Sequence, residues 1–135
     1  MAIREIKDGD QVLARHIPAD TAWQSGLNFY SNEDEYLQIG VWGYKAGKRL
    51  QGHIHRTVKR EILRTQEALF VRRGRIRATI YTDAAQEVAQ LDVSAGDIVV
   101  LLSGGHGYEI LEDRTEVLEV KNGPYGGPEI DRRRI

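Results

Sequence analysis

GKRLQGHIHRTVKREILRTQEALFVRRG, residues 47–74, decides how the rest of the chain reads. His53 and His55 stand one residue apart in it, and Glu67 opens EALFVRR, a run of strand character. Side chains alternate along a strand, so histidines at i and i+2 point to the same face. Two such rings reach one ion at about 2.0–2.1 Å, whereas a helix would need them at i and i+4. A third histidine, His106, follows a Ser-Gly-Gly break after the apolar run IVVLL. We read His53, His55, Glu67 and His106 as one metal site. Imidazole and carboxylate are ordinary ligands for iron, manganese, zinc and nickel, and the set does not choose among them.

On either side of this stretch the texture is that of many short strands. YLQIGVWGY, residues 36–44, alternates Leu37, Ile39 and Val41 with Gln38, Gly40 and Trp42. Residues 50–55 read as a second strand carrying both histidines. Residues 56–66 are highly charged and fit a helical turn, a loop or a strand continuation. EALFVRR and RIRATIY, separated by Gly74, read as a hairpin, with Ile76, Ala78 and Ile80 on one face. EVAQLDV, IVVLL, GYEILED and EVLEVK read as further strands with turns between them. The expected fold class is all-β, a single-domain barrel or sandwich over residues 1–135. Residues 1–35 form an N-terminal extension in which Trp23, Phe29 and Tyr30 are expected to anchor the segment on the body. Residues 122–135, rich in Gly and Pro, are expected to lack regular structure.

Composition narrows the function classes. The 135 residues fit one domain large enough for a real core. Nineteen basic and twenty acidic residues nearly cancel, which favours neither nucleic acid nor an anionic membrane as a partner. There are no cysteines, so disulfides and thiolate metal sites are excluded. The opening residues lack a signal-peptide core and no apolar run reaches about 18 residues. The expectation is a cytoplasmic protein that handles a small molecule.

The motifs resemble those of the cupin family. Gly47, five residues, His53 and His55, then Glu67, six residues and Gly74 are similar to its first motif, and residues 96–106, from Gly96 to His106, to its second. The resemblance covers residues 37–121. More narrowly, the stretches 64–67, 104–107 and 123–125 resemble those of small bacterial cupins, some associated with surface-polysaccharide genes. Three departures stand out. Eleven residues separate His55 from Glu67, a proline is replaced by the Leu101-Leu102-Ser103 stretch, and Ile110 stands where the family carries Asn. The long spacer makes Glu61 a competitor to Glu67 as the carboxylate ligand.

The resemblance implies a jelly-roll barrel, one divalent metal and a homodimer. The activity it implies is that of a metal-dependent oxygenase or an isomerase or epimerase acting on a sugar or organic acid. The alternative is a non-catalytic, small-ligand or regulatory module. Candidate groups around the metal are Tyr44, Tyr81 and Tyr108 as polar or acid/base groups, and Arg60 and Arg64 as clamps for a carboxylate or phosphate. Leu69 and Val71 share the face of Glu67. Arg72, Arg73, Arg75 and Arg77 read as a solvated hairpin, and His16 as a surface residue.

Overall fold

The computed structural model describes residues 2–135. Ten strands form, and the only helix among the described residues is a single turn. The strands are β1 (Arg4–Asp8), β2 (Gln11–Ile17), β3 (Gly26–Phe29), β4 (Gly40–Gly43), β5 (Glu67–Arg73), β6 (Arg75–Tyr81), β7 (Glu87–Ser94), β8 (Ile98–Leu101), β9 (Gly105–Ile110) and β10 (Glu116–Lys121). The helix α1 spans Pro128–Asp131.

All strand pairs are antiparallel. One sheet has the order β1-β2-β8-β5-β10, a second β7-β6-β9, and β3 and β4 pair alone. No sheet closes on itself into a barrel. The core cluster draws Leu13 from β2, Leu69 and Val71 from β5, and Val99 and Leu101 from β8. Against them come Ile76, Ala78 and Ile80 from β6 and Leu91 and Val93 from β7. Two sheets each bury one face, as alternation demands.

β5 and β6 are not a hairpin. β5 pairs with β8 and β10, whereas β6 pairs with β7 and β9. The chain crosses from one sheet to the other at Gly74. Gly74 has φ 81°, and a Cβ there would lie 2.8 Å from the Thr115 Cα. Only glycine turns so sharply against a neighbouring backbone.

The N-terminal segment is more structural than its sequence suggests. β2 is nearly continuous in burial because β8 flanks it and both of its faces are covered. On the outer face, Ile17, Val100 and Leu102 pack with Tyr30 and Ile39. Arg15 ties this region together: its guanidinium donates to both carboxylate oxygens of Glu35 at 2.9 Å and to Glu5 at 2.9 Å. His16 is buried rather than on the surface, because its Nε2 lies 2.9 Å from Asp97 Oδ2. Trp23 and Phe29 stay more than half exposed, so of the three expected anchors only Tyr30 packs on this second cluster.

Residues 50–55 form no strand, and 36–44 yield only the four residues of β4. The apolar residues of 44–63 have no common face to bury. Leu50, Ile54, Val58, Ile62 and Leu63 are all exposed, and polar or charged residues stand between most of them. Among the described residues, no helix is long and apolar enough to cross a membrane.

Candidate functional site

Glu67 is the first residue of β5, and its place is fixed by the residue before it. The Gln66 side chain accepts from the Tyr36 and Leu37 N–H groups at 2.7 and 3.2 Å and donates to the Leu102 carbonyl at 3.2 Å. Its own N–H donates to Asn122 Oδ1 at 2.6 Å. Glu67 then pairs in register with Lys121 of β10. Directly opposed residues put their side chains on one face, and Lys121 Nζ lies 3.2 Å from Glu67 Oε1.

His106 comes from the other sheet, where it sits opposite Ile80 on β9. The Gly-Gly break before it is a packing requirement. A Cβ on Gly104 (φ 71°) would collide with the Tyr81 carbonyl oxygen. The chain therefore approaches Tyr81 closely and enters β9 with His106 turned toward the opposite sheet, its Nε2 3.3 Å from Glu67 Oε2.

That contact is within ion-pair range but is not aligned as a hydrogen bond. Glu67 Oε2 is buried and has no hydrogen-bond partner. The ring of His106 pulls the Glu67 carboxyl down to about 2, burial opposes the shift and Lys121 adds to it. Glu67 is thus ionised at neutral pH, with one oxygen beside Lys121 and the other facing His106 without an aligned hydrogen bond. Unpaired buried oxygens of this kind are costly, and ligands commonly satisfy them.

Around this pair the Tyr108 ring lies 5.3 Å from that of His106, and Lys121 sits 5.0 Å above the Tyr125 ring. Loss of water and then the Glu67 charge push the Tyr108 hydroxyl above its ordinary range, although one side of the ring is open to solvent. It stays a hydrogen-bond donor across physiological pH. Glu67, His106 and Tyr108 line a cavity of about 1360 Å³ that also takes in Tyr81, Arg60 and Arg64.

The remaining candidates lie elsewhere. His53 and His55 stand edge to face with centroids 5.0 Å apart, and His53 Nδ1 lies 3.2 Å from the Gln51 carbonyl. Both are exposed in a stretch without strand or helix, and neither lines the cavity. Glu61 is exposed in the same stretch. Tyr44 packs 5.8 Å from Trp42, also away from the cavity. Arg72 and Arg73 pair loosely with Glu116, and Arg77 donates to Asp92 at 2.8 Å.

The donor set therefore fits one metal ion in part. Glu67 and His106 converge, and the orphaned oxygen is of the right chemistry. Among the described residues, no group of three or more His, Cys, Asp or Glu side chains stands together to hold an ion. The sequence did not single out Gln66, Asn122, Lys121 or Tyr125, nor the approach of the tail to the cavity. Only the resembling stretches 64–67 and 123–125 took in any of them, Gln66 and Tyr125, and without a role. Comparison of the chain with family models, with curated proteins and with solved structures finds no match.

Proposed function

We propose that the chain is a cupin-type protein that takes a small molecule in the cavity above Glu67 and His106. The observation that carries this reading is the buried Glu67 oxygen on the cavity wall, which faces His106 but makes no hydrogen bond. A carboxylate held near 2 is a weak base at neutral pH, so Glu67 suits cation or donor binding better than proton abstraction.

A divalent transition metal is the cation this pair suits, because metal ligands must be deprotonated. Glu67 and His106 would hold it, and open positions would be left for water and the small molecule. When bound it would supply Lewis-acid polarisation of a carbonyl or hydroxyl, or a site for redox chemistry with dioxygen. The chain's own residues do the rest: Lys121 fixes one Glu67 oxygen, Tyr108 offers a proton-bearing hydroxyl, and the arginines meet acidic groups.

The weak basicity of Glu67 favours a second reading, a binding or regulatory module without turnover. Two copies of the chain associate in either case, since Trp23, Leu27, Phe29 and Trp42 leave an apolar face open around β3 and β4.

Titrating the labelled protein with zinc while following the histidine ring resonances tests the site. Shifts at His106 that vanish in Glu67→Gln are expected. Unchanged His106 resonances would refute the site.

A further inference from the structure

The C-terminal segment was expected to be an irregular tail, yet it forms one wall of the cavity. Ile130 and residues 131–135 line it. The segment is tied at three points. Asp131 accepts from the Thr65 hydroxyl, Arg133 donates to the Asp83 carbonyl at 2.9 Å, and Ile135 packs over Gly105. A Cβ on Gly105 would lie 2.7 Å from Ile135 Cδ1, so the glycine makes room for the tail immediately before His106.

This placement brings arginines to the cavity from two parts of the chain. Arg60 and Arg64 come from the spacer, and Arg132 and Arg134 from the tail. Among the described residues none of the four has a carboxylate within ion-pair distance. Of the acids on the lining, Glu119 lies 3.7 Å from Lys121 and Asp131 takes the Thr65 hydroxyl, which leaves Asp83 as the one side-chain carboxylate there without a side-chain contact among the described residues, against four guanidiniums. Unpaired guanidiniums converging on a cavity are suited to planar, bidentate recognition of carboxylate or phosphate. The Glu67 oxygen, which lines the same cavity, calls for a donor instead.

We infer that the tail completes the ligand site, and that the ligand is a hydroxylated small molecule carrying a phosphate or carboxylate group. Its anionic group lies against Arg132 and Arg134, with Arg60 and Arg64 also on the lining, and its hydroxyl end reaches Glu67 and His106. This rests on the reading of the cavity given above, and it adds the chemical class of the ligand and the residues that select it.

The test is a titration of the full-length, isotope-labelled protein with inorganic phosphate at physiological salt, read at backbone amides. Saturable shifts at Gly104, Gly105, Arg132 and Arg134 are expected, and Arg132→Gln with Arg134→Gln should weaken binding at least about tenfold. The double change touches exposed side chains, so an unaltered spectrum elsewhere will confirm folding. Equal phosphate binding in the double variant, or no saturable shift at these amides, would overturn the inference. If zinc still shifts His106 while phosphate does nothing, only the anionic ligand class fails. If both are silent, the cavity reading fails with it.

Discussion

Asp97 shows how much one carboxylate can organise. Its Oδ1 accepts from the Ala19 N–H at 2.7 Å, and its Oδ2 accepts from the Ser94 N–H at 2.9 Å and meets His16. Asp97→Ala would strand these groups, two of them on backbone that cannot move away. The expected loss is about 2–4 kcal/mol of stability in urea unfolding, larger than a surface substitution gives. Glu67 makes a pH-dependent contribution of the opposite origin. Its folded value of about 2 lies below the ordinary 4.5. The stability it contributes is therefore complete above pH 4.5 and lost as pH falls toward 2. Unfolding measured from pH 6 down to 2 should show a drop in the native chain that is flattened in Glu67→Gln. Parallel curves for the two proteins would show that the carboxylate is not held down in the fold.

At the scale of elements, the crossing at Gly74 is the feature most exposed to a single change. Gly74→Ala places a methyl group against Thr115 and keeps a positive φ, so a loss of about 2–4 kcal/mol is expected in thermal unfolding. Thr115→Ala should cost less, since it removes only the hydroxyl that accepts from the Arg75 N–H at 3.3 Å. The strands from β5 to β10 were legible because they alternate or, as in β8, run continuously apolar, and end at turns. Ile76, Ala78 and Ile80 pointed to one face in the sequence and are buried together in the structure. Their sheet membership was not legible, because a strand–Gly–strand stretch reads the same for a hairpin and for a crossing. His16 was misread for a similar reason: a histidine among charged residues looks exposed until a carboxylate 81 positions away is brought to it. Residues 50–55 carried period-two spacing without the apolar partners that would bury one face, and spacing alone does not make a strand.

For the whole molecule, two sheets form a sandwich whose open end holds Glu67 from one layer and His106 from the other. That meeting was anticipated as part of a metal set. The contribution of the tail was not, since glycine, proline and arginine carry no periodic signal. The apolar face around β3 and β4 belongs to this scale too. Light scattering after gel filtration should give the mass of a dimer, and Trp42→Glu with Leu27→Glu should shift it toward a monomer. A monomer from the native chain at micromolar concentration would contradict association.

The central claim is that the Glu67–His106 pair is a loaded site. Metal analysis of protein made without a histidine tag and reconstituted with iron, manganese, zinc and nickel in turn tests it most directly. The account predicts close to about one equivalent of one metal, lost in His106→Ala and in Glu67→Gln. Less than about a tenth of an equivalent of every metal, in native chain and variants alike, would contradict it.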